Sequence, residues 1–201
     1  MWEGEALEQG IDALKQWTGK MRAVVLYDSD TDTFTTDRLF AKVQEKSNIA
    51  LITTTEDGDM FGAFYTVPLK NRNETIFDPN IFAFSFDSNG RCRTPKKFAV
   101  KGGVSDEIYV KVFQDNSRGR FVEFAVRNQR SGFILGNSTA ETWSHSLSNV
   151  FVGMDDTTLT GGSNPYRCTR IVAVELSDVE FSWRFMAFMT FVCILFFLFI
   201  L

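Results

Sequence analysis

One histidine in 201 residues, His145, leaves acid–base and nucleophilic catalysis a single route. A Ser-His-acid site would have to use it, yet Ser144 and Ser146 are its immediate neighbours, and neighbours on a strand point to opposite faces. No Gly-x-Ser-x-Gly elbow is present. The three cysteines, Cys92, Cys168 and Cys193, are widely spaced, which excludes both a disulfide framework and a zinc-ligand pattern. Glycine-rich phosphate loops are missing too: "GGVSDE" and "GGSNPY" are too short and open no apolar helix. A net charge of -4 excludes a general attraction to nucleic acid or anionic membrane. The opening "MWEGEALEQGIDALKQW" is acidic and has no continuous apolar stretch, so it does not have the pattern of a secretory signal. These absences point to a reduced, cytosol-facing body with no cofactor, no metal and no catalytic residue. The sequons at Asn73 and Asn137 then read as unmodified.

What the chain does have is phenylalanine, 21 of them, and an apolar C-terminus. Residues 185–201, "FMAFMTFVCILFFLFIL", run for 17 positions without a charge. At about 1.5 Å per residue a helix of that length approaches the roughly 30 Å of a bilayer core. Trp183 and Arg184 precede it, where an indole and a cation suit the interface. The expectation is a C-terminal tail anchor over 182–201 that leaves the body in the cytosol; the organelle is open.

Residues 1–20 read as a helical arm, with Leu7, Ile11 and Leu14 on one stripe and Gly19 as its stop. Over 21–178 the periodicity is mostly two. "AVVLY" (23–27) reads as a buried strand, "TTDRLFAKVQEK" (35–46) as a short capped helix, and "NIALITTT" (48–55) as a β-branched strand. "IFAFSF" (81–86), "EIYVKVF" (107–113), "FVEFAVR" (121–127) and "RIVAVELS" (170–177) each alternate. With turn clusters between them, about eight or nine strands and few helices predict a mainly β fold, a two-sheet antiparallel sandwich.

Two polar stretches need a reading. In "EDGDMFGAF" (56–64), Asp57-Gly58 is a hairpin signal. Turn chemistry therefore explains Glu56, Asp57 and Asp59 better than metal binding does. Phe61, Gly62 and Phe64 belong to the returning strand, where Gly62 permits close approach. "NGRCRTPKKFAVK" (89–101) carries Arg91, Arg93, Lys96, Lys97 and Lys101 with no acid. It reads as a solvated turn or as a surface for an acidic partner or lipid headgroups.

These segments in this order resemble the TLDc domain family. The residues that carry the likeness are "LYDS" (26–29), "NIALITTTEDGDMFGAFYTVPL" (48–69), "NIFAFSF" (80–86), "FVEFAV" (121–126), "SGFILGNS" (131–138) and "RIVAVEL" (170–176). The chain is similar to a divergent member: Gly119 alone precedes the 121–126 strand, and Leu176-Ser177 stands where a tryptophan often follows the closing strand. The resemblance implies a compact sandwich of two antiparallel sheets with no established catalytic residues to carry over. It also implies an interaction module tied to oxidative-stress protection and to a vacuolar-type proton ATPase. Two other readings stay open at this stage. One is a hydrolase or peroxide-consuming enzyme using His145 or a cysteine; the other is a membrane-tethered ligand-binding sandwich.

The tail makes a testable case. Twelve of its 17 residues are Leu, Ile, Val or Phe, worth about -4 to -7 kcal/mol of insertion at central positions. Deleting residues 182–201 should yield a soluble, folded body. Leu195→Arg with Phe196→Arg, at a cost of about 5 to 7 kcal/mol, should release the full chain into the alkaline carbonate supernatant. Unchanged pelleting of the double variant would mean that the tail is not the anchor.

Overall fold

A computed structural model describes residues 3–88, 94–114, 118–138 and 142–178. The expected tail helix, with Trp183, Arg184 and Cys193, lies outside the described residues, as do Arg91, Cys92 and Arg93. Among the described residues no helix is long and apolar enough to cross a membrane.

Two antiparallel sheets form the body. The larger comprises β1 (Arg22–Asp28), β2 (Ile49–Thr55), β3 (Asp59–Tyr65), β5 (Phe82–Ser88), β6 (Lys96–Ala99) and β11 (Cys168–Ser177), in the spatial order β1-β11-β2-β3-β5-β6. The smaller runs β10-β9-β8-β7-β4, from β4 (Ile76–Phe77), β7 (Ile108–Val112), β8 (Arg120–Val126), β9 (Gly132–Gly136) and β10 (Ser144–His145). Eleven strands are therefore described, more than the periodicity predicts. The additions β4, β6 and β10 have two to four residues each, too few to show a period.

Between the sheets lies the main core. Phe61 meets Phe133 and Tyr166 edge-on, with centroids 6.0 and 5.6 Å apart, and Phe124 packs on Phe133 at 5.4 Å. The larger sheet buries its other face as well. There Phe82, Phe84 and Phe86 join Ile52, Phe64, Val172 and Val174 beneath helix α1 (Glu3–Thr18). Leu14 is fully buried in this second layer, and Trp17 sits edge-on to Phe82 at 6.2 Å. Gly10 fits because its bare Cα abuts the Phe86 ring, where a Cβ would collide. Burial on both faces explains why β2, β3 and β5 read as nearly continuous apolar runs.

The hairpin over 55–59 closes with the Gly58 N–H donating to the Thr55 carbonyl at 3.0 Å, and Gly58 has φ +82°. On β3, a Cβ at Gly62 would strike the Leu51 carbonyl and the Phe84 ring, so the close approach comes from the neighbouring strands. Helix α2 (Thr36–Val43) is capped by Thr35, whose Oγ1 accepts from the Arg38 N–H at 3.3 Å. It stops earlier than expected, as the chain turns through Glu45 at φ 61°. Strand β1 also departs from expectation: only Tyr27 is buried and Val25 is half exposed, because β1 is an edge. Residues 96–99 are not a solvated turn but the opposite edge, β6. That edge is covered where the Val152 N–H donates to the Ala99 carbonyl at 2.9 Å, just past helix α3 (Leu147–Val150).

Leu14→Ala should cost about 2–5 kcal/mol in urea unfolding of the full chain, because it opens a cavity over the phenylalanine face. Leu7→Ala, half-buried on the same helix, should cost clearly less. Equal effects would show that α1 does not seal this layer.

Candidate interaction surface

Side chains that could carry chemistry are held apart or shut in. His145 stands on β10 opposite Gly132, its ring stacked on Trp143 at 5.6 Å, with Asn164 Nδ2 3.2 Å from Nδ1. Ser144 turns inward and is buried, while Ser146 sits in the left-handed region ahead of α3. Cys168 is fully buried on β11; its Sγ accepts from the Gly136 N–H at 3.3 Å, and burial pushes the thiol up to about 11. A protonated, enclosed thiol is a poor nucleophile.

The acids of the 56–59 turn diverge. Glu56 pairs with Arg167 at 3.0 Å, Asp57 Oδ2 accepts from Ser163 Oγ at 2.7 Å, and Asp59 is buried. Sequence reasoning passed over a second acidic group, Asp28-x-Asp30-x-Asp32, whose spacing resembles the first half of a calcium loop. Its geometry is that of a cation-paired loop. Arg170 grips Asp28 through Nε at 3.0 Å and Nη2 at 2.6 Å and reaches Asp30 at 3.1 Å; Arg38 holds Asp32 at 2.9 Å. The Arg170 hydrogen bond keeps the Asp28 carboxyl below the usual carboxylate range. Among the described residues no three metal-ligating side chains converge.

The basic stretch is only partly available. Lys97 lies over the Phe82 ring at 4.2 Å, and its Nζ reaches the Trp17 carbonyl at 3.4 Å, so it pins the C-terminal end of α1. Lys96 and Lys101 are exposed; Arg91 and Arg93 fall outside the described residues. Beside Lys96 a cleft of about 240 Å³ opens among Ser85, Ser88, Asp155 and Thr158. Its polar groups bond one another: Ser85 to Ser88 at 3.0 Å, Ser88 to the Thr158 carbonyl at 3.2 Å, and Thr158 to Asp155 at 2.9 Å.

The outer face of the smaller sheet differs. Helix α1 packs on the larger sheet and α3 buries Leu147 and Val150 in the inter-sheet core, and the registers of the smaller sheet align one row across all five strands: Phe77, Tyr109, Ala125, Gly132 and His145. Large side chains flank a low centre that is itself buried, Ala125 and Gly132. At this end of the sheet the β8–β9 turn projects two exposed arginines. The Arg127 guanidinium lies 5.5 Å from the Phe77 ring and that of Arg130 5.9 Å from Trp143, one on each flank. Neither has a carboxylate partner among the described residues, whereas Arg38, Arg72, Arg167 and Arg170 are all ion-paired. A cleft of about 330 Å³ lies between Phe77, Tyr109, Arg127 and the Asn128 turn. These residues span 77 to 143 in sequence. The one local signal was the pair of arginines around the turn that ends "FVEFAVR".

The family model for the TLDc domain matches residues 7–139. No curated protein matches the chain.

If Cys168 is structural, a Cys92→Ser, Cys193→Ser variant should resist thiol reagents while native and label fully once unfolded. Fast labelling of the native variant would reopen thiol chemistry at this position.

Proposed function

The chain belongs to the TLDc domain family, and from that membership we propose that it is a non-enzymatic protein-interaction module on the cytosolic face of a membrane. Residues 185–201 hold it there. Its partner is a subunit of a vacuolar-type proton ATPase, and through that contact it supports resistance to oxidative stress. The pump and the stress role come from the family resemblance, and the membrane face from the tail's composition. The interaction reading draws most support from one observation: Arg127 and Arg130, exposed and without an ion-pair partner among the described residues, lie near aromatic rings at the two flanks of the smaller sheet's outer face. Exposed arginine and aromatic side chains are the residues enriched at protein interfaces. The enclosed state of Cys168 and the engagement of His145 by Trp143 and Asn164 fit the same reading.

Affinity capture with the full chain as bait, from detergent-solubilised membranes, should recover pump subunits under ATP-replete or ATP-depleted conditions. Recovery of none under either condition would remove the pump from the proposal.

A further inference from the structure

We propose that the outer edge of β1 is a self-association site, where a second copy of this chain adds its own β1 antiparallel about a two-fold axis at Val24. This goes beyond the interaction-module reading and does not rest on the pump. A sheet edge carries unpaired N–H and C=O groups, and folded proteins shorten, charge or cover it. Three of the four edges described here are managed in that way. β4 and β10 have two residues each. β6 is covered by the Val152 N–H on the Ala99 carbonyl and by the Val100–Phe151 bridge. β1 has seven residues, and no described segment pairs with its outer side. Its residues 23–27, "AVVLY", hold neither a charge nor a proline.

The strand register gives the direction of the free groups. Leu176 donates its N–H to the Asn48 carbonyl, toward β2. Hydrogen-bonded and non-hydrogen-bonded pairs alternate along an antiparallel ladder. Ala23 and Val25, opposite Leu176 and Val174, therefore turn their N–H and C=O groups away from β11. In an antiparallel pair centred on Val24, Ala23 of each copy faces Val25 of the other, and each such pair exchanges both hydrogen bonds. The side chains agree. Ala23 and Val25 share the face of Leu176 and Val174, which belong to the layer beneath α1. Val25 is 51 % and the adjoining Met21 62 % exposed, two of the four large apolar side chains left exposed among the described residues. Pairing covers Val25 of both copies and carries the apolar layer from one copy into the next.

A copy of this chain fits the edge because the edge is complementary to itself. Each of Ala23 and Val25 offers the donor and acceptor that the other requires. Antiparallel pairing also sets Lys20 and Arg22, at the start of one strand, toward Asp28 and Asp30 at the end of the other. Within each copy Lys20 already pairs with Asp178, and Asp28 and Asp30 with Arg170. These ends therefore set direction, by keeping like charges apart, more than they add affinity. Beyond Val25 a bulge breaks the ladder, and Tyr27 is buried with Leu39, Phe40 and Val43 of α2. The contact is thus confined to the first half of β1, which makes it a weak interface that forms at high local concentration. A two-fold axis uses both β1 edges, and with β6 covered the assembly stops at two.

The test uses the full chain with Cys92→Ser and Cys193→Ser in neutral detergent micelles, followed by sedimentation velocity over a concentration series. The expected result is a reversible monomer–dimer equilibrium. Val25→Lys should raise its dissociation constant about tenfold, since the change counts twice across the axis. Val152→Lys, at another exposed valine, should leave it unchanged. Cysteines check the register, with diamide as the oxidant. Val24→Cys should link two copies rapidly, because facing Cα atoms of a non-hydrogen-bonded pair lie about 4.5 Å apart, within disulfide reach. Met21→Cys is more exposed, but it stands opposite Tyr27 of the second copy, roughly 20 Å from its own counterpart. It should link far more slowly. If Val25→Lys does not melt like the parent, the cysteine comparison decides alone. A monomer at every concentration, assembly beyond two, or an equal loss from Val152→Lys would each overturn the proposal. So would a dimer indifferent to Val25→Lys, which would mark association through the tail, or Met21→Cys linking as fast as Val24→Cys.

Discussion

Strand β11 enters the larger sheet between β1 and β2, antiparallel to both. Residues near 25, 50 and 172 are therefore hydrogen-bonded neighbours, and the sheet is one continuous structure only when the last described strand is in place. The cost of ordering such long loops precedes the contacts that repay it. What repays it is two-sided burial: Ile171 and Ala173 face the inter-sheet core, while Val172, Val174 and Leu176 face α1. Arg170 ties the same strand to Asp28 on the β1 edge. The family match ends at residue 139, yet β11 is an interior strand of the sheet that this match begins, joining β1 to β2.

The two sheets differ because only one is covered twice. A sheet enclosed by a second sheet and a helix buries most positions on both faces, and β3 is buried at every position, Asp59 included. The smaller sheet is free to alternate. On β7, Ile108, Val110 and Val112 are buried while Tyr109 and Lys111 remain half exposed. Arginines and aromatics on its outer face thus meet solvent at little cost to the core. This division of labour leaves the exposed aromatics and arginines on the sheet that α1 does not cover.

The alternation that was legible came from strands long enough to show a period: "IFAFSF", "EIYVKVF", "FVEFAVR" and "RIVAVELS" each lie in a strand, though on β5 and β11 both sides of the alternation are largely buried. The Asp57-Gly58 turn was legible for a backbone reason, since Gly58 takes a positive φ. Shorter strands were not. β4 and β10 have two residues apiece, and they exist because β7 and β9 offer them an edge, not because of any local preference. "AVVLY" misled because its composition suits a buried strand, whereas edge position is a property of the sheet. The row from Phe77 to His145 could not be read from the sequence at all, as it depends on four strand registers holding at once.

Charge was the hardest feature to interpret from spacing. Asp28, Asp30 and Asp32 have the intervals of a metal loop, but Arg170 and Arg38 come to them from distant and neighbouring segments and neutralise the group. In the run 89–101 Lys97 looks like part of a basic patch, yet it caps a helix and covers Phe82. Arg127 and Arg130 look unremarkable beside a turn, and they lie near rings without an ion-pair partner among the described residues. A paired charge has its field largely cancelled within a few ångströms, so the counting of charges along a chain overstates some patches and conceals others. Partner assignment, not charge density, separates the cations that hold this fold together from those left exposed and without an ion-pair partner among the described residues.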